Sequence, residues 1–131
     1  MDRECDLLRE SWAQAALDRS LAAQLFYGRL FEQRPDLRAM FGSDMIAQGQ
    51  KLMDTLNFVV DNIGQSEVLE KPVAELGHRH RGYGVKDEDY QDVGAALLWT
   101  FRNLLGDGFD ADVEQAWLSV YTQISDRMKT A

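Results

Sequence analysis

The sequence predicts an all-α protein, a packed helical globule of about six main helices plus short ones, and three observations predict it. Apolar residues recur at three- and four-residue spacings along most of the chain, with no period-two alternation long enough to argue for a sheet. Only two prolines interrupt 131 residues, which leaves long stretches free to be helical. Between the periodic runs stand glycines, prolines and capping Ser or Asp residues, the punctuation of helices.

The first helix is expected from about Arg3 to Leu17, with Leu8, Trp12 and Ala15 or Ala16 on one face. Asp18 to Ser20 offers a weak break. A second helix then runs to Arg34, turning Leu21, Leu25, Phe26, Leu30 and Phe31 inward. Pro35 suits a first turn better than a helix interior, so a short helical turn is expected from Pro35 to Met40. Ser43 is the expected cap of a helix whose apolar face is Met45, Ile46, Leu52, Met53, Leu56, Val59, Val60 and Ile63, closed by Gly64. Ser66 is the expected cap of a shorter segment with Val68, Leu69, Val73, Leu76 and His80. Pro72 within it implies a kink or an irregular first turn. Gly82-Tyr83-Gly84 makes a corner. Asp87 is expected to cap a helix carrying Val93, Leu97, Leu98, Phe101, Leu104 and Leu105, broken by Gly106-Asp107-Gly108. Asp110 starts the last helix, with Val113, Trp117, Val120, Tyr121, Ile124 and Met128. No segment repeats another and none sustains heptads, so the expectation is one domain, residues 1–131, and not a coiled coil. Unequal helix lengths favour a packed globule over a regular four-helix bundle.

Composition narrows the function. A hydrophobic fraction of 45% supports a substantial core. The net charge of −8 repels nucleic acid and anionic lipid, so no nucleic-acid partner is expected. Apolar clusters fall short of the ~20 residues that cross a bilayer, so no membrane insertion is expected. Cys5 is the sole cysteine, which excludes an internal disulfide and suits a reducing cytoplasm. Met1-Asp2-Arg3-Glu4 is charged with no apolar run behind it, so no signal peptide is expected and the location reads as cytoplasmic.

The only two histidines lie together in Leu76-Gly77-His78-Arg79-His80-Arg81-Gly82-Tyr83-Gly84-Val85. A neutral imidazole is the commonest protein ligand for a transition metal. On these residues alone, a metal ligand and a pair of exposed helix histidines both stay open.

The ordered set Leu8-Arg9-Glu10-Ser11-Trp12, Leu25-Phe26-Tyr27 with Leu30-Phe31, Pro35 followed by Phe41, Leu76-Gly77-His78-Arg79-His80, and Ala116-Trp117-Leu118-Ser119-Val120-Tyr121 resembles the globin family. It is similar to bacterial single-domain globins, the haem domain of flavohaemoglobins and neuroglobin-like sequences. The resemblance implies haem b (iron protoporphyrin IX) as cofactor and His80 as the proximal iron ligand. Helical geometry agrees independently: Leu69, Val73, Leu76 and His80 share a stripe that His78 leaves. The Leu76 carbonyl, one turn back, is the expected acceptor for the other ring nitrogen. On the distal side the resemblance places Tyr27, Gln48 and Leu52. There a phenol or amide donor stabilises dioxygen, which carries partial negative charge when bound, and does little for carbon monoxide. Packing for Tyr27 and a solvent-facing position for Gln48 remain the open alternatives. Phe41 matches the haem-stacking aromatic, and Lys51 a position that holds a basic side chain toward a propionate. Arg79 and Arg81 either share that role or balance nearby acids. Val85, Tyr83, Tyr90, Val93 and Leu97 are expected haem-wall contacts, whereas Trp12, Trp99 and Trp117 read as structural.

Tyr90 also matches a tyrosine that strengthens the proximal network in flavohaemoglobin-like proteins. The partner glutamate has no clear match before Ala131, which weakens the expectation of a peroxidase-like push or efficient nitric oxide dioxygenation. The resemblance thus implies reversible dioxygen binding first, with carbon monoxide and nitric oxide as further ligands. The alternatives are a nitric oxide dioxygenase needing a separate reductase, since 131 residues hold no flavin or nicotinamide module, and a haem-based gas sensor.

Overall fold

The structure, a computed structural model, describes residues 3–130. Met1 and Asp2, read above for the absence of a signal peptide, lie outside the described residues, as do Ala131 and the side chain expected to cap at Ser66. Six α-helices occur among the described residues: α1 (Arg3–Ala15), α2 (Arg19–Gln33), α3 (Met45–Asp61), α4 (Ser66–Gly82), α5 (Asp89–Leu105) and α6 (Ala111–Lys129). Short 3₁₀ turns cover Ala16–Asp18, Pro35–Met40 and Gly106–Gly108. No helix among them is long and apolar enough to cross a membrane.

The expected start at Asp110 holds, two others move, and Asp18, read only as part of a weak break, also caps a helix. Asp18 accepts the Leu21 N–H at 3.0 Å and Asp110 the Val113 N–H at 2.9 Å. At α3 the cap is Asp44, whose carboxylate accepts the Ala47 N–H at 3.0 Å, and not Ser43. Both residue types cap well, but the helix begins one residue later than Ser43 requires, and a carboxylate also suits the positive end of the helix dipole. At α5 the cap position falls on Glu88, without a side-chain bond, and not on Asp87. Here Asp89 turns back to take the Lys86 N–H at 3.0 Å. The segment after Gly64 became a full helix: Gln65 holds the cap position, and α4 runs through Pro72 to Gly82, so the first turn is regular.

Burial follows the apolar stripes with three exceptions. Leu8, Phe26, Leu30, Phe101, Trp117 and Val120 are buried together. Trp117 stacks on Phe101 at 4.3 Å and donates its indole N–H to Ser11 at 2.8 Å, while Trp12 donates to Asn57 at 2.9 Å. Trp99 is half-buried on α5 with the Arg29 guanidinium 5.1 Å above its ring. Leu21, Val68 and Ile46, expected inward, are exposed, Ile46 at 79%. Each stands in the first turn of its helix, where the end projects past the neighbours it would have packed on.

The packing scheme creates the site. α2 lies against α5, α4 against α6, α1 against α6, and α3 against α2 and α1. α3 and α4 are consecutive in the chain yet share no more than marginal contact. α4 is instead held by α6 through Gly77, where an added Cβ would sit 2.6 Å from the Met128 Cα. Replacing Gly77 with alanine gains about 1 kcal/mol of helix propensity but drives a methyl into rigid backbone, which typically costs 1–3 kcal/mol or more. Gly77→Ala is expected to lower the thermal midpoint. Gly28→Ala, with nothing within 4 Å of the new methyl, is expected to raise it. Thermal denaturation of the two variants checks both signs.

Candidate functional site

Along α4 the stripe passes from buried Leu69 and Val73 to half-buried Leu76 and His80, so the imidazole emerges at the edge of the core. Its Nδ1 lies 2.8 Å from the Leu76 carbonyl. A carbonyl only accepts, so Nδ1 carries the proton and Nε2 keeps a free lone pair. Burial holds the His80 pKa below the ordinary histidine value, and Arg79 adds to this, against the opposing effect of the Leu76 carbonyl. The ring is therefore neutral near pH 7, the form that binds metals. His78 is exposed. The helix ends because Gly84 takes a φ of +92°, which lets Val85 fold back and donate its N–H to the His80 carbonyl at 3.1 Å.

Buried Tyr90 lies nearly parallel to His80, ring centres 6.4 Å apart and planes 23° apart. It meets the imidazole through its ring, and the Nδ1 partner is Leu76. Two contacts fix Tyr90: Tyr121 donates its hydroxyl to the Tyr90 carbonyl at 2.5 Å, and the Lys129 ammonium lies 5.7 Å from the ring centre. Gly94 makes the first possible, since a Cβ there would meet the Tyr121 ring at 2.6 Å.

Tyr27 is buried on α2 among aromatic rings: Phe26 at 5.0 Å, Phe31 at 5.7 Å and Phe41 at 5.3 Å. Its hydroxyl donates to the backbone carbonyl of Gln48 at 3.3 Å. Tyr27 and Gln48 are thus brought together, through the Gln48 main chain and not its amide. Burial pushes the Tyr27 pKa up to about 12, so its proton is retained as a donor. A raised folded-state pKa stabilises below the unfolded value of about 10, and that stability is lost as pH rises toward 12. Burial raises Tyr90 and Tyr121 in the same direction. Urea midpoints taken from pH 8 to pH 11 should therefore fall, and fall less steeply in Tyr27→Phe.

The rest of the expected wall is apolar and half-buried: Phe41, Leu52, Leu76, Val85 and Val93, with Leu97 buried behind them. Met45 and Leu56, not singled out as site residues, belong to the same rim. Lys51 and Arg79 are exposed, free to reach an acidic edge group. Arg81 instead donates to the Lys129 carbonyl at 2.7 Å, and Tyr83 is 64% exposed with its ring centre 6.4 Å from that of His80. No group of three or more His, Cys, Asp or Glu that could hold a bare ion occurs among the described residues. One neutral imidazole with Nε2 as its remaining donor, at the edge of an apolar core, suits a group that brings its own other ligands. An iron porphyrin fits this donor set.

The globin family model matches residues 24–128. The chain is 27% identical over 135 residues to neuroglobin-1 of Oncorhynchus mykiss, covering 92% of this chain and 85% of that protein. It is 34% identical over 104 residues to a flavohemoprotein of Halalkalibacterium halodurans, covering 77% of this chain but only 25% of that longer protein. Among solved structures, a bacterial globin from Campylobacter jejuni superimposes with a TM-score of 0.84 at 24% identity, over 99% of this chain and 94% of that one.

Proposed function

The chain belongs to the globin family, and on that premise we propose that it holds haem b through His80 and binds dioxygen reversibly, with high affinity, on the side of Tyr27 and Gln48. When bound, haem would supply an iron able to take dioxygen, carbon monoxide or nitric oxide. The observation that carries the reading is His80: neutral, half-buried, with Nδ1 committed to Leu76 at 2.8 Å and Nε2 left as the donor.

Each remaining residue has a task that its surroundings support. The Leu76 carbonyl and the Tyr90 ring fix the orientation of the imidazole plane. Leu52, Val85, Val93 and Leu97 exclude water from an apolar slot, and Phe41 stacks on the flat group. Lys51 and Arg79 pair with propionates. Tyr27 keeps its proton throughout the working pH range and offers it to a polarised diatomic ligand, with the Gln48 amide beside it.

A second reading, nitric oxide dioxygenation, is favoured by the same Tyr27 donor and by the likeness to a flavohemoprotein. It needs a reductase to return the iron to the ferrous state. We place the protein in the cytoplasm, in keeping with its single cysteine.

The test is reconstitution with haem, followed by rapid mixing of the oxygenated protein with nitric oxide. Stable haem absorption and reversible oxygenation are expected. A colourless protein would sink the proposal. Sustained nitrate production with an added reductase would move the assignment to the second reading.

A further inference from the structure

Arg34 stands between the end of α2, which bears Tyr27, and the turn that leads to Phe41. Its N–H closes α2 on the Leu30 carbonyl at 2.8 Å, and its own carbonyl accepts the Leu37 N–H at 3.0 Å, opening the turn that leads to Phe41. Its guanidinium reaches three carboxylates: Asp36 at 2.8 Å, Asp89 at 3.0 Å and Asp92 at 2.6 Å. Asp36 is well exposed, and such pairs contribute little, while Asp92 is half-exposed.

Asp89 differs. It is 2% exposed, and its two oxygens take one donor each, Arg34 at 3.0 Å and the Lys86 N–H at 3.0 Å. A buried carboxylate is tolerated only while paired, so the place of Lys86 is tied to that of Arg34. From Lys86 the chain leads back to Val85, whose N–H bonds the His80 carbonyl at 3.1 Å. The residue after Asp89 is Tyr90, which faces the His80 ring. One ion pair therefore joins the wall bearing Tyr27 and Phe41 to both ends of the corner that follows His80.

We infer that Arg34 and Asp89 are positioning residues that set the width of the proposed haem cleft, and with it the grip on a flat cofactor and the stance of His80. The inference rests on the proposal that haem lies between these walls.

Asp89→Asn keeps the size and an oxygen for the Lys86 N–H but removes the charge facing Arg34. Arg34→Lys keeps the charge and removes the fork. Ser11→Ala serves as a remote control, since it deletes the acceptor of Trp117 at 2.8 Å without touching the cleft. For each haem-loaded protein, three quantities are measured: the rate of haem transfer to excess apomyoglobin, the iron–histidine stretching band, and the thermal midpoint. Both cleft variants should release haem on the order of tenfold faster, the scale of a lost charge-assisted hydrogen bond, with a shifted or broadened band. Ser11→Ala should lower the midpoint and leave the other two unchanged. If Asp89→Asn does not fold, Arg34→Lys carries the same comparison. The inference is overturned if the band and release rate stay at wild-type values, or if Ser11→Ala changes them in proportion to its lost stability. Failure of the wild type to retain haem would instead remove the functional proposal itself, and the inference with it.

Discussion

Haem should fail to stay on a His80→Ala variant, while His78→Ala should keep it. The two imidazoles stand two residues apart on one helix, and their surroundings separate them completely. His80 is half-buried, neutral and bonded to Leu76 at 2.8 Å, whereas His78 is exposed. Loss of the axial donor removes the one strong directional bond between protein and iron, leaving only apolar contact. The consequence reaches beyond binding. A ligand held by the folded state alone stabilises it by about 4 kcal/mol at a thousandfold excess over its dissociation constant, a large share of the 5–15 kcal/mol typical of a domain. His80→Ala should therefore also lower the helicity and thermal midpoint of protein prepared with haem. Absorption spectra after gel filtration, with circular dichroism on the same samples, check both effects. Loss of haem from His78→Ala with retention by His80→Ala would reverse the assignment.

The sequence foretold the helices well because their stripes are long and regular. Leu69, Val73, Leu76 and His80 had to share a face, and Tyr27 sat among enough aromatic bulk to be buried. Helix starts were less legible, since capping is decided by a single residue of register. Ser43 and Asp44 are both good caps, and only the packing of α3 chooses Asp44. Asp87 looked like a cap, but α5 starts one residue later, where Asp89 is held by Arg34, distant in sequence. Ile46 and Val68 satisfied the helical period, but periodicity carries no information on how far a helix end projects beyond its neighbours.

The arrangement of α3 and α4 was not legible in the sequence. No pattern in the sequence indicates that α3 and α4 stay apart, because that follows from α4 packing on α6 across Gly77. The Tyr121 bond to the Tyr90 carbonyl was equally hidden. It depends on Gly94 having no side chain, and neither residue is marked by its local sequence. The polar links that tie the walls together are contacts between distant elements, which local pattern does not encode.

Tyr27→Phe is expected to release dioxygen about 10- to 100-fold faster, the range that follows from losing one hydrogen bond worth ~1.5–3 kcal/mol to a charged group. Carbon monoxide release should change little, because its outer atom carries less negative charge. The substitution removes one oxygen and leaves the ring packed among Phe26, Phe31 and Phe41, so the core should survive. In the structure the hydroxyl rests on the Gln48 carbonyl at 3.3 Å, a long bond that a better acceptor can displace cheaply. That detail sharpens the double-mutant test. Gln48→Leu deletes the amide but keeps the backbone carbonyl on which Tyr27 rests, so the direct contact between the two positions survives in the single variant. Non-additive effects on the dioxygen dissociation rate would then report a shared ligand and not the contact between the residues. Gln48→Leu should also speed release, and the double variant should be less than the product of the singles. Autoxidation should rise in step, as the retained proton of Tyr27 is what holds the polarised ligand in place. Dissociation rates for wild type, both singles and the double decide it: unchanged values in all three variants would mean that neither side chain faces the ligand, and the oxygen-binding mechanism proposed for this cleft would have to be abandoned.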